Sequence, residues 1–335
     1  MTLLRALEWF GRDAESLHAS AIELQFAREG FGFIVGSVGQ VCVATRARLA
    51  AIPESRPRND VMSHIRERAS DEGWRYFDGY RPIPPDSDDL ALVLHVVAAA
   101  GVSAETPWIA KPLAHLARNR LAPGLFPTWL IPDANNRAVA DLAWASGSEP
   151  VHPEVVANIN HALLKLSPVA WQDDILGAAH WLAADPTARL NGNHWYYGHG
   201  YAGWLICDFL RSVHATGLLD TRGSLLTYRD LLACEQNERG AWALNRPPLA
   251  RVGLSRPPIT LLQHSVSETA WRMAALRCTG LAIEDPMLQR GTQFLAGAQQ
   301  DDGGFAAEPF FETLSVEPYG SRTVTTAAVL HALAP

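Results

Sequence analysis

Along most of this chain apolar residues recur at intervals of three and four, the spacing of helices that turn one face to a core. Three segments carry the pattern most densely: "DDLALVLHVV" (88–97), "SETAWRMAAL" (267–276) and "VTTAAVLHAL" (324–333). Aligned on Ala91, Ala270 and Ala327, their apolar positions coincide. Two weaker copies lie between them, "HPEVVANINHALLKL" (152–166) with Ala157 and "HGYAGWLICDFLR" (199–211) with Ala202. Near the N-terminus, "LLRALEWFGRDAESLHASAIELQFA" and "VGQVCVATRARLAAI" read as two further amphipathic helices. Strand signals are scarce, with no alternating run closed by an Asn-Gly turn. Gly and Pro mark loops instead.

The five alanines recur at roughly 45 to 70 residues, the length of two helices plus their loops and the mark of a helical-hairpin repeat. Before each dense helix stands a similar heptad: "RASDEGW" (68–74), "QNERGAW" (236–242) and "QQDDGGF" (299–305). Each ends in Gly, at most one spacer, and an aromatic residue. The expected fold is all-α, one ring of hairpins with inner helices about an axis and outer helices around them. Helices within residues 1–52 complete the ring, and the repeats span 66–335. No linker divides the chain, so residues 1–335 are expected to form one domain.

Composition narrows the function classes. Of 335 residues, 48% are hydrophobic and 19% charged, enough to bury a sizeable core. A net charge of −7 without a basic cluster makes nucleic acid and anionic membrane poor partners. The four cysteines form no CxxC pair, so neither a zinc ribbon nor a disulfide framework is expected. That usage fits a reducing cytoplasm. The first twenty residues lack the apolar core of a signal peptide, and "LALVLHVVAAAGV" is too short to span a bilayer. Eleven tryptophans either fill the core or wall an aromatic pocket.

"PPDSDDLALVL" (84–94) sets Asp86, Asp88 and Asp89 directly before an apolar run. Acidic residues are ordinary at a helix start, as cap and first turn. Crowded carboxylates also resist joint ionisation, so one of them can keep a proton at neutral pH. The helix N-terminus opposes this by favouring the charged form. A second polar cluster, "NHWYYGHGY" (193–201), holds Asn193, His194, Trp195, Tyr196 and His199 in one loop. An Asn beside a His or Tyr base fits β-elimination by a polysaccharide lyase or hydrolase. Such an enzyme also needs basic residues for acidic sugars; Arg189 is near in sequence, but no basic groove is evident. His194 and His199 are five apart without an HExxH arrangement, so no metal site is expected.

The string "RGTQFLAGAQQDDGGF" resembles the QW repeat of squalene–hopene cyclases and related class II terpene cyclases, through Arg290, Gly291, Phe294, Leu295, Gln299, Gly303 and Phe305. Phe305 stands where that family usually has Trp. "LLACEQNERGAW" repeats the pattern less completely. "EGWRYFDGYRPIPPDSDDLA" resembles the family's Gly-Trp loop followed by Pro-Asp-x-Asp-Asp-Thr-Ala, with Leu90 replacing Thr. The resemblance implies an α/α toroid and a carbocation cascade begun by protonating an alkene or epoxide of an isoprenoid. Asp88 falls on the acid's position, with Asp86 and Asp89 tuning it. No cofactor is implied, although a diphosphate on the substrate would bring in Mg²⁺. Class II cyclases normally bind substrate between two barrels, whereas this chain has length for one. It must close its own pocket or borrow a partner's surface in a homo- or hetero-oligomer. Prenyltransferase β subunits share the toroid but bind zinc through an Asp-x-Cys pair, which is absent here.

A carbocation needs walls that stabilise charge without attacking it, and aromatic faces do so at about 0.5–2 kcal/mol each. Tyr76, Phe77, Trp129, Trp195, Tyr196, Tyr197 and Tyr319 are the candidates near loop-to-helix junctions. Trp74, Trp242 and Phe305 are expected to staple loops. Hairpin repeats gather equivalent helix ends on one face, so Asp88, Glu268, Thr325 and Thr326 are expected around one mouth, beside His194, His199 and their loop. His264 is the candidate partner for Asp88, and Arg322 either holds an anionic group or pairs with a rim carboxylate. A third reading is a toroid that binds an isoprenoid or a protein without catalysis. A cyclase needs a closed apolar cavity at Asp88, a lyase an open polar cleft, and a scaffold neither.

Overall fold

Outer and inner helices alternate along the chain. In order they are α1 (Thr2–Trp9), α2 (Ser37–Ala51), α3 (Asn59–Glu67), α4 (Ser87–Ala99), α5 (Pro107–Arg118), α6 (Pro153–Leu166) and α7 (Gln172–Ala184). After the short α8 (Pro186–Asn191) come α9 (Gly200–Ala215), α10 (Arg222–Ala233), α11 (Val266–Cys278), α12 (Pro286–Ala298) and α13 (Arg322–Leu333). The structure is a computed structural model that describes residues 2–9, 37–75, 84–131, 151–193, 195–246, 250–251, 254–255, 259–312 and 318–335.

The inner helices α2, α4, α6, α9, α11 and α13 each pack on the next, and α13 closes on α2. Their sequences explain the position. Ser87–Val97 of α4 and Val266–Leu276 of α11 are buried without a break, as helices surrounded on all sides must be. The anchor alanines Ala91, Ala157, Ala202, Ala270 and Ala327 are fully buried, where a small side chain lets neighbouring helices approach. Outer helices bury only a stripe. Leu225, Tyr228 and Leu232 carry it on α10, and Leu288, Gly291 and Leu295 on α12. The N-terminal pattern supplies α2, an inner helix, and α1, which packs on α13.

The heptads are loop staples. Trp74 donates from Nε1 to the Ile65 carbonyl (2.9 Å), and Trp242 to that of Cys234 (2.7 Å), tying each loop to the preceding outer helix. Phe305 is fully buried in the same role without a donor. Gln236 and Gln299 each donate to the carbonyl of the loop glycine, Gly240 (2.9 Å) and Gly303 (2.8 Å). Gly240 has φ +80°, and a Cβ there would lie 2.4 Å from the Arg290 carbonyl oxygen, so only Gly fits.

The connection between α10 and α11 departs from the helical expectation. There β1 (Trp242–Arg246) pairs antiparallel with β4 (Ile259–Ser265), and β2 (Ala250–Arg251) with β3 (Leu254–Ser255). A further pair joins β5 (Phe311–Glu312) to β6 (Pro318–Tyr319). Trp242 and Leu244 are buried while Ala243 and Asn245 are not, a period-two pattern too short to stand out in the sequence. Among the described residues no helix is long and apolar enough to cross a membrane.

Candidate active site

The acidic motif is held by a neighbouring segment as well as by its helix. Asp86 bridges to Trp129, Ser87 N–H donates to the Thr128 carbonyl (2.8 Å), and Leu130 N–H donates to that of Pro85 (2.8 Å). Asp86 is the N-cap of α4, accepting from Asp89 N–H at 2.7 Å. Ser265 and Ser321 cap α11 and α13 in the same way (3.0 and 3.2 Å), so Asp86 fills the repeat's capping position with a carboxylate. Asp88 turns toward α6 and the 195–199 loop. Its Oδ1 accepts from Asn158 Nδ2 (2.7 Å), and its Oδ2 accepts from the Tyr196 hydroxyl. All three carboxyl groups are buried, none more than 9% exposed.

Burial dominates their electrostatics. It pushes Asp88 above the usual carboxylate range, against the hydrogen bonds from Tyr196 and Asn158 and the charge of Arg46. Burial pushes Asp86 up to about 7; the Asp89 amide opposes this and the charge of Asp88 adds to it. Behind the acid, Asn158 Oδ1 accepts from Arg46 Nη1 (3.1 Å) and meets His95 Nε2 at 3.1 Å. Burial holds His95 far below its ordinary value, so it is neutral and donates from Nε2. Asn158 therefore passes the influence of a buried cation to the carboxyl group through one amide.

An aromatic wall continues from Tyr196. Its ring centroid lies 4.5 Å from that of Tyr201 and 4.8 Å from Phe310, and Tyr201 lies 4.9 Å from Trp271. Trp271 stacks on Trp204 at 4.7 Å. Sequence reasoning did not single out Asn158, Arg46, Trp204 or Trp271. Their signal was position: Asn158 and Trp271 directly follow an anchor alanine, Trp204 follows one by two residues, and Arg46 is a charge within the buried stretch of α2.

A cavity of about 640 Å³ opens at the C-terminal ends of the inner helices, lined by Arg46, His95, Lys165, Trp204, Arg211 and His331 among others. The expected mouth was at the opposite, N-terminal ends with Asp88 in its wall. Asp88 is not part of this cavity's lining. It stands behind Asn158, which bonds the lining residues Arg46 and His95.

The polar residues expected at that mouth are engaged by loops. Glu268 accepts from His199 and Gly200 N–H (both 3.1 Å) and pairs with Arg272 (2.7 Å), clamping the start of α9. Thr326 accepts from Phe305 N–H (3.2 Å) and Thr325 from Glu308 N–H (3.3 Å). His264 is not a partner of Asp88: the β1–β4 ribbon carries it to an exposed position, where Asn237 Nδ2 lies 3.0 Å from its Nδ1. Arg322 pairs with Asp302 (2.6 Å) and donates to the Phe305 carbonyl (3.2 Å). Trp129 and Trp195 meet edge to face at 5.7 Å, and Trp195 Nε1 donates to His152 Nδ1 at 3.1 Å. His199 is kept neutral by burial. Tyr76, Phe77, His194 and the side chain of Tyr319 lie outside the described residues. Asn193 donates to the Tyr196 and Gly198 carbonyls (2.8 Å each), so it shapes the loop instead of facing a substrate carboxylate. Arg189 lies 3.6 Å over the Trp181 ring. Among the described residues no group of three or more His, Cys, Asp or Glu could hold a metal.

No family model matches the chain, and no curated protein matches it by sequence. Solved structures do match by shape. A protein from Actinoplanes superposes with a TM-score of 0.67 at 17% identity, over 99% of this chain and 97% of its own. A variant of the type II terpene cyclase MstE from Scytonema, in complex with its substrate geranylgeranyl dihydroxybenzoate, gives 0.65 at 16%, over 99% and 95%. The ent-copalyl diphosphate synthase from Streptomyces platensis gives 0.62 at 18%; 89% of this chain covers half of that larger one. A polysaccharide lyase, BACCELL_00875, matches less closely, at 0.51 and 14%, over 98% and 96%. At these identities the likeness establishes architecture: the chain has the α/α-toroid fold of class II terpene cyclases.

Proposed function

We propose that residues 1–335 act as one toroidal unit that cyclises or isomerises an isoprenoid by class II chemistry, with Asp88 as the acid. The observation that carries the reading is Asp88 itself. It is a buried carboxyl group with a raised pKa, held by Asn158 and Tyr196 at the edge of an aromatic wall. Asp86 and Asp89 support it by setting and capping the first turn of α4.

The chemistry follows from these contacts. The π electrons of an alkene take the Asp88 proton, leaving a cation on the more substituted carbon; an epoxide oxygen would be protonated instead. A second alkene attacks that cation, and loss of a proton or capture of water ends the sequence. The carboxylate left behind keeps its bonds from Tyr196 and Asn158, with Arg46 beyond, and these favour the charged form. Preorganised donors at a site of developing charge lower the barrier. Faces of Tyr201, Trp204 and Trp271 stabilise the cation at about 0.5–2 kcal/mol each. The scheme calls on no cofactor.

The test is incubation with all-trans prenyl substrates of several lengths, including geranylgeranyl chains, followed by mass spectrometry. Wild type should give isomers of unchanged mass, or hydrates, and folded Asp88→Asn should give none. Wild-type turnover by Asp88→Asn would end the reading.

A further inference from the structure

A serine, a histidine and an aspartate meet at the cavity by the inner-helix C-termini, and none of them touches Asp88. The Ser212 hydroxyl lies 3.0 Å from Nε2 of His161, and Nδ1 of the same ring lies 3.5 Å from Asp208 Oδ2. Asp208 and Ser212 are one turn apart on α9, and His161 faces them from α6, which packs against α9. Arg211 fixes the other oxygen of Asp208 at 2.6 Å, which leaves Oδ2 toward the imidazole. Serines inside helices commonly bond back to their own helix, whereas this hydroxyl reaches across the seam between two helices. Ser212 and Asp208 line the cavity, with His161 buried behind them.

We infer that Ser212, His161 and Asp208 form a nucleophile, base and orienting acid, and that this cavity is a second active site, one that hydrolyses carboxylic esters. The inference goes beyond the cyclase reading and does not depend on it. The roles follow from the imidazole. With Asp208 accepting from Nδ1–H, Nε2 carries the lone pair, and Ser212 donates to it. Burial and the charge of Lys165 hold His161 well below its ordinary value against the pull of Asp208, so the ring is neutral and can take a proton. As Ser212 Oγ bonds to the ester carbonyl carbon, its proton passes to Nε2 and the carbonyl π pair moves onto oxygen. When that tetrahedral species collapses, the bond to the alkoxy oxygen breaks, and this oxygen leaves as an alcohol with the proton from Nε2. Water then repeats the sequence on the acyl-serine, giving a carboxylic acid and restoring the Ser212 hydroxyl. Lys165 stands one turn beyond His161 on α6 and lines the same cavity, so its ammonium supplies positive charge for the oxyanion. Ala98, Ala99 and Ala274 give the cavity an apolar side for an acyl chain, and its volume of about 640 Å³ suits a small ester.

Two readouts on the whole chain test the triad. The first is release of nitrophenolate from the p-nitrophenyl esters of acetate, butyrate and octanoate. Wild type should hydrolyse at least one of them, and kcat/KM should fall at least about 100-fold in Ser212→Ala and in His161→Gln. Asp208 is a positioning residue, so Asp208→Asn should lower kcat while KM is kept. The second readout needs no variant. A fluorophosphonate probe should add one phosphonyl group to wild type with loss of fluoride, and peptide mass spectrometry should place it on Ser212. Conversion of prenyl substrates should be the same in Ser212→Ala as in wild type, which keeps this site's failure distinct from that of the Asp88 reading. Hydrolysis no faster than in buffer alone, hydrolysis retained by folded Ser212→Ala, or a probe that leaves Ser212 unlabelled overturns the inference.

Discussion

Substituting Asp86 by Asn tests the electrostatics of the motif apart from any substrate. Asn keeps an oxygen for the Asp89 N–H, so the cap of α4 survives. Its amide can donate to Asp89, whose side chain already bonds Asp86. What disappears is an ionisation. In the folded protein Asp86 is pushed up to about 7 by burial, while in the unfolded chain it titrates as an ordinary aspartate near 3.8. The folded state therefore binds the proton more tightly. The stability this contributes is present at low pH and is lost as pH rises toward the folded value. Between pH 5 and pH 8 the loss is about 2–3 kcal/mol, roughly two pH units at about 1.4 kcal/mol each. Urea unfolding of wild type and Asp86→Asn at both pH values measures it, since carboxylates remote from Asp86 contribute equally to both proteins. The variant should gain about 2–3 kcal/mol on wild type between pH 5 and pH 8. A difference that stays the same at the two pH values refutes the assignment.

Other expectations follow from single contacts. Turnover should decline as pH rises, because Asp88 must hold its proton to act; the initial-rate profile of folded wild type shows the direction, and a rise with pH would contradict it. Asn158→Leu leaves Arg46 and His95 facing an apolar side chain, so unfolding should show a loss of about 1–3 kcal/mol, with turnover falling as well. Tyr196→Phe removes one donor to the Asp88 carboxylate, so kcat should fall more than affinity for the prenyl chain, as single-turnover and binding assays can separate. Gly240→Ala should destabilise more than Gly101→Ala. Both glycines have positive φ, but only at Gly240 does the new Cβ meet backbone. Thermal melts of the pair isolate the contact.

The ring was legible because its cause is periodic. Anchor alanines and Gly-aromatic staples repeat at the length of a hairpin, and repeating hairpins close on themselves. Asp88 was legible through a local string and its resemblance. The residues around Asp88 were not, because ring closure alone brings them together. Arg46, Asn158, Tyr201 and Trp271 come from four inner helices, and no local spacing relates them. The polar residues expected at the mouth turn out to be engaged for a physical reason. Glu268, Thr325 and Thr326 look like a polar rim in sequence, yet polar groups at buried helix starts are claimed by the loops packed on them. His264 misled because the β1–β4 ribbon that moves it outward shows its alternation for too few residues.

The central claim is that the Asp88 proton ends up on a substrate carbon. Turnover of a prenyl substrate by wild type in D₂O tests this most directly, with the product's deuterium located by mass spectrometry and NMR. One deuterium on the carbon that was the attacked alkene terminus, together with no product from folded Asp88→Asn, is the predicted result. A wild-type product formed without deuterium at that carbon, or the same labelled product from Asp88→Asn, would contradict it.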